Sequence, residues 1–311
     1  MPNDDSSLTA LLGLLSTLTT EAAAPERGDL DVLSTEELVR SMNAEDRRVP
    51  EAVAVRATEI AAAVDGIVDR FRRGGRLIYI GAGTAGRIGV LDASECPPTF
   101  GTDPSMVVGL IAGGETAIRS AVEDAEDDDE AAEASLRGLN LSPDDTVVGI
   151  SASGRTPYVV GGLTFARGMG ALTVAIASNA DSAIGAAAEI AIEVVTGPEF
   201  VSGSTRLKAG TAQKLVVNML STLSMIKLGK TYRGVMVDLV ATNEKLRARS
   251  ISTVSRLAGV EVDEAMTALD AAGGSVKLAL LMLATGASAA AAADALQRTD
   301  GILRDAITAL G

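Results

Sequence analysis

Leu77-Ile78-Tyr79-Ile80-Gly81-Ala82-Gly83-Thr84-Ala85-Gly86-Arg87 is a short apolar run that empties into a glycine-rich turn. A run apolar on both faces marks a strand buried on both sides, and the turn marks a strand-to-helix junction. Reading the first strand as Arg76–Ile80, four similar runs follow at Met106–Ile111, Thr146–Ser151, Leu172–Ala177 and Ile190–Val195. Helix-length segments separate them. The alternation predicts an α/β fold: a doubly wound, five-stranded parallel sheet flanked by helices. Ligands of such sheets bind beyond the carboxyl ends of the strands, so chemistry is expected in the loops after each run.

Outward from the sheet the patterns become helical. Ala52–Arg73 reads as one long amphipathic helix, and the first fifty residues read as a helical leader. The leader carries a capping signal at Ser34-Thr35-Glu36-Glu37 and turn chemistry around Pro25–Gly28. Beyond the loop Thr196–Thr205 a long helix runs to about Lys227, and past Thr242 the strand signal stops. The remainder reads as several helices broken at Gly259, Gly273-Gly274, Gly286 and Gly301, with Ala287–Ala293 a short alanine-rich helix. The predicted organisation is a helical N-terminal segment over 1–66, an α/β domain over 67–230 and a small all-helical region over 231–311.

Composition excludes several kinds of chemistry. The 311 residues contain no histidine, which removes Ser-His and Cys-His nucleophilic systems and histidine-ligated metals. No metal and no cofactor are expected. With 41 acidic residues, carboxylates lead as proton-transfer groups. A net charge of -14 and the absence of tryptophan disfavour nucleic acid and anionic membranes as partners. The single cysteine, the lack of a basic signal region at the start and the shortness of the apolar runs point to the cytoplasm and to no membrane span.

The G-x-G-x-x-G pattern at Gly81–Gly86 alone suggests a dinucleotide. That reading also needs an acid at the end of the second strand, where this chain has Ala112-Gly113-Gly114. A phosphate accounts for more of the loop: Gly83 lets the backbone approach an anion, Thr84 adds a hydroxyl, Arg87 adds charge and a helix N-terminus follows. The design repeats after the third strand in Ser151-Ala152-Ser153-Gly154-Arg155-Thr156-Pro157, where Pro157 suits a first helical turn. Two such loops after neighbouring strands form a polar cradle for a sugar phosphate. A third polar stretch, Ser202–Thr211, places Arg206 and Lys208 at another helix start.

Two acidic segments lie near these loops. Asp92-Ala93-Ser94-Glu95-Cys96-Pro97-Pro98 is expected to end the helix after the glycine loop, the double proline turning the chain away and fixing Glu95 near the cradle. The next helix, read from Glu115, is expected to carry acids from Glu123 to Glu130, with Glu126 beside its apolar stripe of Ala117, Ile118, Ala121, Val122 and Ala125.

These strings, together with GSTRLKAGTAQKLVVNMLST and MVDLVATNEKL, resemble the N-acetylmuramic acid 6-phosphate etherases, which are built on the sugar isomerase (SIS) phosphosugar-binding domain. The resemblance runs from about Leu33 to Val260. It implies cleavage of the lactyl ether at C3 of the phosphorylated amino sugar, by elimination and then addition of water. It also implies a homodimer with a helical C-terminal region. Carried over residue by residue, it makes Glu95 and Glu126 catalytic, with Glu95 as proton donor to the leaving oxygen. Substrate contacts would fall on Gly83, Thr84, Arg87, Ser151, Ser153, Gly154, Arg155, Thr156 and Lys208. Ala85 stands where the family usually carries serine, and Ala22–Arg27 lacks the asparagine expected there, so the resemblance supports no leader contribution to the pocket. A sugar-phosphate isomerase or a non-catalytic sugar-phosphate-sensing regulator on the same fold are the alternatives.

Overall fold

The computed structural model describes Gly13 and residues 18–22, 28–238 and 244–311. Apart from Gly28, the turn expected at Pro25–Gly28 lies outside the described residues, as do most of the extreme N-terminal leader and Thr242. The expected capping box is present. Ser34 N–H donates to Glu37 Oε2 (2.8 Å) and Glu37 N–H donates to Ser34 Oγ (3.3 Å), opening α1 (Thr35–Asp46). The single helix expected over Ala52–Arg73 is instead two, α2 (Arg48–Ala54) and α3 (Ala57–Arg72), with a non-helical Arg56 between them.

Contacts divide the chain into two units, one of residues 1–94 and 105–220, the other of residues 95–104 and 221–311. The first holds the sheet. Its strands are β1 (Leu77–Gly81), β2 (Val107–Ile111), β3 (Thr146–Ser151), β4 (Leu172–Ala177) and β5 (Ile190–Glu193), all parallel in the order β2-β1-β3-β4-β5. The five expected strands are thus observed, within two residues at each end.

Alternation along the strands sorts the core into two layers. Ile78, Ile80, Val147, Ala175 and Ala177 face α6 (Asp129–Gly138), α7 (Pro157–Gly168) and α8 (Ala183–Ala187), meeting Leu136, Tyr158, Val159, Leu163 and Ile184. On the other face α3 buries Ile60, Ala63, Val64, Ile67, Val68 and Phe71, the helical spacing its sequence predicts. Tyr79 points the same way, where its hydroxyl donates to Asp92 Oδ2 (2.8 Å), and Asn218 Nδ2 donates to Asp92 Oδ1 (2.6 Å). Asp92 thereby ties β1 to two helices, α4 (Gly83–Phe100) and α9 (Lys208–Lys227).

Two expectations near the acidic segments are corrected. Helix α4 does not end at Glu95 but runs through Pro97 and Pro98 to Phe100. Proline's fixed φ is itself helical; Pro97 and Pro98 lack the N–H groups that would bond the carbonyls of Ala93 and Ser94, yet the helix runs on to Phe100. The acids after Glu115 do not share one helix either. The short α5 (Gly114–Arg119) stops at an extended Ser120, and a turn with Asp124 at φ 60° follows. Asp128 then caps α6, its side chain accepting from the N–H groups of Glu130 and Ala131, so the acidic run serves as a helix start.

The second unit contains a two-stranded hairpin, β6 (Thr231–Tyr232) and β7 (Val235–Met236), and five helices: α10 (Glu244–Ala258), α11 (Val262–Ala271), α12 (Val276–Thr285), α13 (Ala289–Arg298) and α14 (Leu303–Leu310). Breaks fall at the expected glycines. The unit has its own core, including Val254, Leu269, Val276, Leu281, Ala292, Ala295 and Leu303. Among the described residues no single helix is long and apolar enough to cross a membrane.

At the amino ends of β1 and β3 a partly buried ion pair sets the start of the sheet. Arg76 Nη2 lies 2.8 Å from Asp145 Oδ2, and Arg76 N–H donates to Asp145 Oδ1 at 2.9 Å. Burial alone would raise the Asp145 carboxyl. The hydrogen bonds from Arg76 and from Ser142 N–H, with the Arg76 charge, outweigh burial and hold it below the usual carboxylate range. A depressed folded value means stabilisation present above the unfolded value of about 3.9 and lost as pH falls through the folded one. Asp145→Asn is therefore expected to cost about 1–3 kcal/mol at pH 7. In denaturant titrations that penalty should shrink below about pH 3.9, where the wild-type carboxyl also protonates.

Candidate active site

Because β1 lies between β2 and β3, the connections leaving β1 and β3 diverge, and the loops at their carboxyl ends stand side by side at a topological switch point. The register pairs Gly81 with Ile150, so the two loops begin level with each other. A cavity of about 260 Å³ opens there. It is lined by Glu21, Ala82, Gly83, Thr84, Ala85, Glu126, Ser151, Ala152, Ser153, Thr156, Thr205 and Gln213.

The glycine loop is shaped by close approach. A Cβ on Gly86 would come 2.6 Å from both Gly81 O and Ile111 Cγ1, so helix α4 can start against the sheet only with glycine at that position. Gly83 and Thr84 consequently stand at the helix N-terminus on the cavity wall. The second loop is built from its own hydroxyls. Ser151 Oγ lies 2.8 Å from Thr156 Oγ1 and 3.3 Å from Ser153 Oγ, and it accepts from Gly154 N–H at 3.1 Å. Gly154 has φ 74°, and a Cβ there would meet Ser182 Cβ at 2.4 Å, so the turn requires glycine twice over. Pro157 begins α7, as its position predicts.

Buried Asn179 holds this loop from behind. Its Nδ2 donates to Ala152 O (3.0 Å) and to Thr20 Oγ1 (3.1 Å), while its Oδ1 accepts from Thr19 N–H and Thr19 Oγ1, both at 2.8 Å. One amide side chain therefore fastens the leader segment 18–22 to the hydroxyl loop. Glu21 is brought to the cavity as a result, although nothing in its local sequence marks it out.

Of the residues singled out from sequence, Gly83, Thr84, Ser151, Ser153, Thr156 and Glu126 share this cavity. Glu126 sits on the turn before α6, its carbonyl accepting from Tyr158 N–H at 3.1 Å, which ties the acidic turn to the start of α7. Arg87 lines an adjoining cavity of about 230 Å³ that shares Ala82, Gly83 and Glu126, and its Nε donates to Ile118 O at 3.0 Å. Gly154 and Arg155 form the turn rather than the wall. Lys208 is 1% exposed, with Nζ 2.7 Å from Glu45 Oε2. The N–H groups of Lys208 and Ala209 donate to the Glu199 carboxylate, so this helix start is already capped from within the chain. Glu95 is exposed on α4, twelve positions after Gly83, about 18 Å along the axis at 1.5 Å per residue.

Two lining residues, Glu21 and Gln213, are not marked by the sequence reading, while Thr205 belongs to the polar stretch Ser202–Thr211. A signal existed for Gln213. It falls among Ala209, Ala212, Val216 and Val217 on the buried stripe of α9, where a polar residue is out of pattern.

Residues 59–167 match the model of the glucokinase regulatory protein N-terminal SIS domain, and residues 118–223 match the SIS domain model. Among solved structures, a phosphoheptose isomerase from Francisella tularensis superposes with a TM-score of 0.51 at 16% identity, covering 62% of this chain and all of that one (100%). That likeness concerns the fold. Closer in sequence are N-acetylmuramic acid 6-phosphate etherases. The one from Streptomyces avermitilis is 59% identical over 95% of each chain, and the one from Mycolicibacterium smegmatis is 55% identical over 95% of this chain and 99% of its own. With this identity sustained along nearly the whole length, the chain belongs to the N-acetylmuramic acid 6-phosphate etherase family.

Proposed function

We propose that the protein cleaves the C3 lactyl ether of N-acetylmuramic acid 6-phosphate, giving N-acetylglucosamine 6-phosphate and D-lactate. The observation that carries the reading is a carboxylate, Glu126, on the wall of a cavity built from two hydroxyl-bearing loops at adjacent helix starts. The hydroxyls of Thr84, Ser151, Ser153 and Thr156, with the N-termini of α4 and α7, suit a phosphate. In the open-chain sugar the aldehyde acidifies the C2 proton. A base removes it, the C3–O bond breaks as an acid protonates the departing lactyl oxygen, and water then adds OH at C3 and H at C2. Glu95 is assigned the protonation of the leaving oxygen and Glu126 the partner acid/base role.

The length of α4 bears on where Glu95 works. A phosphorylated hexose does not span about 18 Å, so we assign Glu95 to the cavity of a second copy of the chain. Helix α9 offers a surface for that association: Met219, Leu223 and Ile226 are 36%, 40% and 46% exposed at i, i+4 and i+7 of one face. A homodimer handling a charged, membrane-impermeant sugar phosphate belongs in the cytoplasm.

Purified protein incubated with the substrate should release D-lactate stoichiometrically; ketose product without lactate would instead favour an isomerase. Glu95→Gln and Glu126→Gln should each bind substrate and lose about 10²–10⁴ in turnover. Refolding the two variants together should restore activity, because one site of each mixed dimer then holds both native carboxylates. Absence of recovery assigns both to one chain. A Leu223→Glu, Ile226→Glu double variant should run as a monomer in light scattering and release no lactate.

A further inference from the structure

Two of the lining residues, Glu21 and Gln213, are left unused by the phosphate and ether chemistry. Gln213, on α9, is 1% exposed, and its Nε2 has no hydrogen-bond partner among the described residues. An amide N–H left unpaired in a buried position costs about 1–3 kcal/mol, and such donors persist where a ligand completes them. Glu21 shares the cavity and adds an acceptor. Its place is fixed by the Asn179 clasp on Thr19 and Thr20, by Ser202 Oγ donating to Glu21 O at 3.1 Å, and by Gly203, where a Cβ would stand 3.0 Å from Glu21 Oε2.

A buried amide donor and a carboxylate acceptor in one cavity do not suit a second anion, since the carboxylate repels it. They suit a neutral group that presents a carbonyl oxygen and an N–H together. Resting on the etherase reading above, we propose that Gln213 and Glu21 form a subsite for the 2-acetamido group of the sugar, Gln213 donating to its carbonyl and Glu21 accepting from its N–H. The leader segment is then a specificity element that distinguishes 2-acetamido sugar phosphates from those with a hydroxyl at C2.

Calorimetric titration of the full chain with N-acetylglucosamine 6-phosphate and with glucose 6-phosphate tests this without turnover. Wild type should bind the acetamido ligand at least about tenfold more tightly, the value of one or two hydrogen bonds to buried or charged groups. Gln213→Leu and Glu21→Ala should each shrink that ratio about fivefold or more, with glucose 6-phosphate affinity changed less than about twofold. Glu21 is exposed on the leader, so its variant reports even where Gln213→Leu fails to fold. Equal binding of both ligands by wild type, or a ratio unchanged by Glu21→Ala, or an equal loss for both ligands overturns the proposal. A ratio that responds as described in a protein that releases no lactate would sink the etherase reading and leave the subsite standing.

Discussion

Parallel pairing of β1 with β3, with their outgoing connections diverging, is the constraint from which the site follows. Neither helix start can be covered by the crossover of its neighbour, so the loops opening α4 and α7 line one cavity instead of two. Each helix start carries the equivalent of about half a positive charge. In the proposed site, placing two together would supply anion affinity without a charged side chain, which suits a chain whose net charge is -14. The partly buried Arg76–Asp145 pair serves the opposite end of the same two strands, and the close approach at Gly86 lets α4 begin so near the sheet edge.

The strands and the two loops were legible because their information is local. A buried strand shows as a continuous apolar run, and a helix start beside a ligand shows as glycine, hydroxyl and proline at fixed offsets. Gly154 and Pro157 are such signals, and so are the glycines that punctuate the C-terminal helices. Positions that depend on contacts across the sequence were not legible. Lys208 reads as an available cation at a helix start until Glu45, 163 residues away, is seen to neutralise it. Glu21 reads as one more leader acid until Asn179 is seen to hold Thr19 and Thr20 from 160 and 159 residues away.

The two errors in the acidic segments share a cause. A double proline reads as a helix breaker, yet proline's φ is itself helical, and α4 continues to Phe100. Apolar periodicity after Glu115 does not register that Asp128 caps a new helix instead of prolonging the old one. Both are contests between two locally acceptable conformations, settled by packing.

Cationic side chains are placed unusually around the cavity. Arg87 faces the adjoining one and Lys208 is spent on Glu45, while two carboxylates, Glu21 and Glu126, line the wall. A phosphate held by dipoles and hydroxyls is held by geometry, because such donors act only at contact distance and only when correctly aimed. A misplaced lysine still attracts an anion across several ångströms; a misplaced serine hydroxyl does not. In the proposed phosphate site the hydroxyl loop, with Gly154 forced into its turn and Asn179 bonded behind it, would supply donors already aimed. The same side chain that holds the loop fastens the leader, so whatever loosens Asn179 disturbs the hydroxyl loop and the Glu21 carboxylate together.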